Sequence, residues 1–233
     1  MFESRSPFLF VPRLMAVPGL VHGFGDARWS EADFLAFAAS RGLHAVVMNQ
    51  VHSATVHRVD APPTEKPDGD ALMTNAPGLL LVIRTADCLP VLLVDPENRA
   101  VAAVHCGWRG TEKRILEKAV RAMGEAYGSK PDDMLAALGP CIGAACYEVG
   151  PEVREGFLKA GFPENVLCGA PGRQGKYLLD LRAANLGLLA VLGFKKSRIS
   201  NPGPACTHCE PRLLSYRRNP ADPRRMYNFI GLI

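Results

Sequence analysis

Two apolar stretches of this sequence end in residues that bind metals or act as nucleophiles. Cys88 lies in Thr85-Ala-Asp-Cys-Leu-Pro90 and His105 in Val104-His-Cys-Gly-Trp-Arg-Gly110, and His52 follows Asn49-Gln-Val51. One thiolate and two imidazoles make a donor set for zinc or copper. Three protein ligands leave the fourth tetrahedral position open for water, which is the arrangement of catalytic rather than structural zinc. Spacing alone favours a plainer alternative, with Cys88 a small buried hydrophobe and the histidines satisfied by local hydrogen bonds. Cys88 with His105 as base also composes the nucleophile of a metal-free hydrolase.

Such side chains converge only if rigid elements carry them. Short apolar, β-branched runs at 45–48, 55–59, 79–83, 91–94, 100–105 and 135–138 read as buried strands. Three of them lie between Leu79 and His105 with no helix between, which excludes a regularly alternating doubly wound sheet and points to an α+β fold of layered strands flanked by helices. Helices are expected at four places. Ser30 caps Glu31 to Arg41 with Asp33 at the third position, and Thr111 caps a helix ending near Gly128. Pro151 opens one running to Gly161, and Asp180 caps Leu181 to Leu192. Segments 61–70 and 168–176 are loop-like and too short for interdomain linkers.

The chain has 233 residues, 48% hydrophobic and 21% charged, the balance of one globular domain with a packed core. Its net charge of +4 is too small and dispersed for a nucleic-acid groove. The longest apolar runs fall far short of the roughly 20 residues that span a bilayer, so no membrane partner is expected. Met1-Phe-Glu-Ser-Arg-Ser6 places an acid where a secretory signal would be basic, which suggests a cytoplasmic protein. Seven cysteines, an odd number without regular spacing, then read as metal-binding or catalytic rather than disulfide-bonded.

Further strings recur in a telling order: Asn49-Gln-Val-His52, Asp68-Gly-Asp-Ala-Leu-Met-Thr-Asn75, Thr85-Ala-Asp-Cys-Leu-Pro-Val91, His105-Cys-Gly-Trp-Arg-Gly110, Leu138-Gly-Pro-Cys-Ile-Gly143, Cys146-Tyr-Glu-Val149, Cys206-Thr-His-Cys209 and Ser215-Tyr-Arg-Arg218. From about His22 onward the sequence closely resembles the YfiH-like family, also called laccase-domain, polyphenol oxidase or peptidoglycan editing factor proteins. The resemblance implies a single α/β/β/α domain over residues 1–233, with the metal held by His52, Cys88 and His105. It implies a purine nucleoside phosphorylase acting on adenosine, inosine, guanosine and methylthioadenosine with inorganic phosphate as co-substrate, often with adenosine deaminase activity. Zinc is the expected metal and copper the alternative, since older descriptions of the family are of copper-dependent laccases.

The two purine reactions make different demands. Deamination needs a metal-activated hydroxide at the purine ring; phosphorolysis needs phosphate held beside the ribose C1′, hence an anion cradle. Arg109, between Gly107 and Gly110 and just before the helix expected at Thr111, suits that cradle, against a surface ion pair as the plain alternative. By resemblance, Cys146 and Glu148 approach the metal pocket from another part of the fold, Glu148 as proton donor or acceptor to the base. Asp87 is a candidate to orient a neighbouring ligand, and Asp70 reads chiefly as a turn residue. Cys206-Thr-His-Cys209 has the spacing of a zinc knuckle but no second such pair, so it reads as a packing element. The arginines at 212, 217, 218, 224 and 225 read as a solvated basic surface.

One departure stands out. After His22-Gly-Phe24 the family's Ser-Thr-Arg and Gly-Gly-Val-Ser loop is largely missing, and Arg28 in Gly25-Asp-Ala-Arg28 stands where the loop arginine would be. The metal ligands therefore transfer more firmly than the substrate side. The rival readings are a copper polyphenol oxidase, for which extra histidine clusters are missing, the metal-free cysteine hydrolase, and a non-catalytic metal-binding protein.

Overall fold

The computed structural model describes residues 7–201 and 206–233; the opening hexapeptide read above for localisation lies outside them. One sheet contains β1 (Phe8–Leu9), β2 (Leu20–Gly25), β3 (His44–Val46), β6 (Leu79–Thr85) and β14 (Met226–Leu232), in the order β1-β2-β14-β6-β3. A second contains β4 (Val56–Arg58), β5 (Ala71–Thr74), β7 (Leu89–Asp95), β8 (Ala100–Cys106), β9 (Leu135–Leu138) and β13 (Ile199–Ser200), in the order β13-β9-β7-β8-β5-β4. A small antiparallel ribbon is made of β10 (Glu148–Val149), β11 (Leu167–Gly169) and β12 (Tyr177–Leu179). The helices are α1 (Pro12–Met15), α2 (Glu31–Ser40), α3 (Trp108–Glu112), α4 (Ile115–Tyr127), α5 (Pro151–Lys159) and α6 (Leu181–Val191).

Layering follows from which faces of the strands are apolar. Every residue of β7 and β8 is buried, so neither strand has a solvent face and both sides of the sheet must be covered. Val91, Leu93, Ala102 and Val104 face α4, α5 and α6, where they meet Ile115, Leu116, Phe157 and Leu188. Leu92, Val94, Val101 and Ala103 turn the other way, onto Phe24, Leu81, Ile83 and Ile230 of the five-stranded sheet. The outer face of that sheet, with Leu80, Val82 and Phe229, is closed by Phe34 and Ala38 of α2. The result is an α/β/β/α sandwich. Each large aliphatic side chain fully buried between the layers contributes about 1.5 to 3 kcal/mol by removal from water.

Local signals match their elements at α2, α5 and α6. Ser30 and Asp33 cap α2 reciprocally, Pro151 opens α5 after Gly150, and Asp180 accepts the Ala183 N–H at the start of α6. The helix expected to open at Thr111 starts earlier. Gly107 is its N-cap, and Thr111 sits inside α3 with its N–H on the Gly107 carbonyl. Arg114, at φ 59, then breaks the run before α4. Strands β2, β5 and β14 were not among the runs read as strands. In β2 and β14 glycines and Asn228 interrupt the apolar pattern. Asn228 is buried and donates to the Ile83 carbonyl and Thr85 Oγ1, and a Cβ at Gly231 would lie 2.3 Å from the Leu79 carbonyl oxygen.

Candidate active site

The β7 to β8 register builds the centre. Leu89 is opposite Cys106 and Pro90 opposite His105, so Cys88, one residue before β7, arrives beside the end of β8. The chain turns into Cys88 through Asp87 at φ 93 and into the third candidate ligand through His52 at φ 55. Left-handed backbone at residues other than glycine is costly and is kept where the surroundings enforce it. At His52 the enforcing group is Asp70. Its carboxylate accepts the His52 and Ser53 N–H groups at 3.1 and 2.6 Å, the Ser53 hydroxyl at 2.8 Å, and His105 Nδ1 at 2.8 Å. One fully buried carboxylate thus fixes the backbone of one imidazole and the ring of the other. Gln50 pins the same loop to β6, its amide giving to the Arg84 carbonyl at 2.8 Å and accepting the Arg84 N–H at 2.7 Å.

The triad fits a metal. The donor atoms of His52, Cys88 and His105 all lie within 4.8 Å of one another, a limit compatible with the roughly 3.3 to 3.8 Å between ligands each about 2.0 to 2.3 Å from one zinc. With Nδ1 on Asp70, His105 has Nε2 left for that point. Gly107 keeps the space open, since a Cβ there would lie 3.1 Å from both Cys88 Sγ and His52 Cδ2. Burial would push the Cys88 thiol up, but the charges and hydrogen bonds of His105 and His52 bring it down to about 6. Burial would push His105 down, and the Cys88 and Asp70 anions raise it to about 9. Both shifts favour the Cys88 thiolate, which is the form that ligates a metal.

This centre lies in a cavity of about 780 Å³ whose wall also carries Arg84, Arg109, Tyr147, Glu148 and Arg217. Such a volume is ordinary for a small-molecule site. Arg109 lies in the first turn of α3 with its guanidinium 4.3 Å from the centre of the Trp108 ring. Among the described residues Arg84 and Arg109 form no ion pair with a carboxylate. The Glu148 carboxylate is held by Arg173 at 2.9 Å.

Other sequence candidates lie elsewhere. Arg28 is outside the cavity wall, paired with Asp26 at 2.7 Å. Cys146 is outside it too, because the 3-10 turn Ala144–Cys146 sends its Sγ to 3.4 Å from Cys209 Sγ. Asp87, next to Cys88, accepts the Thr207 hydroxyl at 2.5 Å and the Arg217 N–H at 2.7 Å, so its carboxylate ties the carboxy-terminal segment to the Cys88 turn rather than reaching a histidine ring. The orienting role belongs to Asp70. The Gly-Asp string that reads as a turn also places a carboxylate just before β5, in register with His105 on β8, a pairing that only the fold reveals.

A family model described as multi-copper polyphenol oxidoreductase laccase matches residues 30–233. The chain belongs to this laccase-domain family, the YfiH-like proteins. A Deinococcus radiodurans protein named purine nucleoside phosphorylase is 42% identical over 185 residues, 79% of this chain and 69% of its own. A protein named adenosine deaminase RL5, from an unknown prokaryotic organism, is 41% identical over 141 residues, 60% of this chain and 53% of its own. The crystal structure of the Bacillus licheniformis hypothetical protein YfiH superposes with a TM-score of 0.89 at 26% identity, covering 100% of this chain and 99% of that one. The YfiH-like match contains His52, Cys88, His105, Arg109 and Glu148, and begins after Arg28. Among the described residues no helix is long and apolar enough to cross a membrane.

Proposed function

We propose that this chain is a metal-dependent purine nucleoside phosphorylase of the cytoplasm, splitting adenosine, inosine, guanosine and methylthioadenosine with inorganic phosphate and also deaminating adenosine. The observation that carries the reading is the His-Cys-His triad sharing one cavity with two arginines that have no carboxylate partner among the described residues, in a chain 42% identical over 185 residues to a protein of that name. Seven free cysteines support the reducing compartment.

In phosphorolysis a phosphate oxygen bonds to ribose C1′ as the bond from C1′ to purine N9 breaks. The electron pair of that bond leaves on the base, which takes up a proton, and ribose 1-phosphate remains. Arg109 and Arg84 hold the phosphate, which converts an encounter of two solutes into a positioned attack. Tyr147 offers a flat face to the purine, and Glu148, oriented by Arg173, passes the proton to and from the base. His52, Cys88 and His105 would hold a zinc ion, with copper as the alternative, which would supply the Lewis acidity that brings the pKa of water near neutrality. Asp70 keeps both histidines aimed.

The test is product chromatography with adenosine or inosine. Free base and ribose 1-phosphate are expected only with phosphate present, and inosine is expected from adenosine without phosphate and is lost on chelation. If neither product forms while a phenolic dye is oxidised with added copper, the oxidase reading replaces this one.

A further inference from the structure

Three sulfurs meet behind the cavity. Cys146, at the end of the 3-10 turn Ala144–Cys146, joins Cys206 and Cys209, with all three Sγ atoms within 4.8 Å of one another. The Cys209 and Glu210 N–H groups close on the Cys206 carbonyl at 3.1 and 2.9 Å, a tight turn that presents both knuckle sulfurs to one side. The Gly143 N–H reaches Cys206 Sγ at 3.1 Å. Burial pushes the Cys206 thiol up, but N–H groups of Gly143, Cys209 and His208 outweigh it and hold it below its ordinary value. Burial and the neighbouring sulfurs push Cys146 up to about 12. Three sulfurs this close ionise together only around a cation. A disulfide would use two of them and leave the third, with its N–H donors, unaccounted for.

We propose that Cys146, Cys206 and Cys209 hold a second metal ion, a thiophilic ion of the zinc class, that fastens the carboxy-terminal segment to the loop bearing Cys88. Sulfurs of one tetrahedral zinc stand roughly 3.8 Å apart, from bonds of about 2.3 Å, so the 3.4 Å between Cys146 and Cys209 needs only a small opening. The fastening runs through Thr207, inside the knuckle, whose hydroxyl donates to Asp87 at 2.5 Å next to Cys88. Arg218 braces the same turn, donating to the Thr207 and His208 carbonyls at 2.7 and 3.0 Å. The role is structural and does not depend on which reaction the cavity performs.

The experiment loads reduced, metal-free protein with Zn²⁺, removes the excess by gel filtration and counts zinc per chain. Cys88→Ser is expected to retain one zinc at the sulfur cluster, Cys206→Ser to lose that ion and retain the one at the triad, and the double variant to lose both. Cys206→Ser binding as much zinc as the unaltered protein, or Cys88→Ser binding none, overturns the proposal. Failure of the triad reads differently, as Cys88→Ser binding as much as the unaltered protein. Should Cys206→Ser not fold, cobalt loading of the unaltered protein decides. Thiolate-to-cobalt absorption from a three-sulfur centre is expected beside that of the one-sulfur triad, and its absence overturns the assignment.

Discussion

Replacing Asp70 by asparagine keeps the shape of the buried side chain and removes half of its acceptors. The carboxylate receives four hydrogen bonds: the His52 N–H and His105 Nδ1 on Oδ1, and the Ser53 N–H and hydroxyl on Oδ2. An amide accepts on one side only and turns its NH2 toward the other pair, where it breaks a backbone N–H bond outright and forces the Ser53 hydroxyl or His105 Nδ1 to become an acceptor, so either orientation disturbs two of the four. Hydrogen bonds to a charged group contribute about 1.5 to 3 kcal/mol each, offset in part by the relief of burying a charge, which leaves a net loss of about 2 to 4 kcal/mol. For a chain of this length that corresponds to a fall in Tm of roughly 5 to 15 °C. Zinc affinity at the triad should drop by about 10 to 100-fold, because the His52 backbone and the His105 ring lose their common anchor. Competition with a chromophoric chelator, in a Cys206→Ser background so that only the triad is read, measures the affinity; thermal melting measures the stability. Ser53→Ala removes one donor to Asp70 and spares both histidines, so its affinity should stay near the parent value. Asp70→Asn protein that binds zinc as tightly as the parent would return Asp70 to the role of a turn residue.

Three further outcomes follow from the structure. Cys88→Ala and His105→Ala should each lose the triad zinc while circular dichroism stays native, and full occupancy in both would end the ligand assignment. Arg109→Ala should raise KM for phosphate much more than KM for nucleoside, and an equal change in both would make the arginine structural. His22 is buried and accepts the Val11 N–H on Nε2 at 2.9 Å. Burial holds it down to about 4 against 6.5 in the unfolded chain, so the unfolded state binds the extra proton as pH falls below 6.5. Stability should therefore decline between pH 6.5 and 4 by about 3 kcal/mol from this group and level off below. Urea titrations of His22→Gln, which keeps an acceptor without the charge, should lack that portion of the slope; identical pH profiles would rule the linkage out.

What the sequence disclosed followed the range of the physics involved. Ser30 with Asp33 and Asp180 before Leu181 act within three residues, and both caps were legible. The uninterrupted apolar runs of β7 and β8 announced strands with no wet face, and hence a layer on each side. Arg114 in a left-handed turn leaves no mark in an otherwise helical pattern, so the break between α3 and α4 was invisible. Strand β14 was hidden because Gly231 is demanded by the backbone of β6 and Asn228 by its carbonyls, both distant in sequence. The same distance separates Cys146 from the knuckle that it joins. At the triad, residue types indicated which side chains could share one ion, while the work of Asp70 became apparent only once β5 lay beside β8.

The middle position of β14 in the five-stranded sheet bears on how the molecule is made. It pairs with β2 on one side and β6 on the other, and β2 and β6 share no hydrogen-bonded edge. During synthesis the two halves of that sheet therefore wait with open edges until β14 leaves the ribosome. The Thr207 and Arg217 contacts to Asp87 come from the same late stretch of chain. A ribosome that stalls before residue 226 would release a polypeptide holding every triad residue but neither a closed sandwich nor a route to one, a natural substrate for chaperones and proteases.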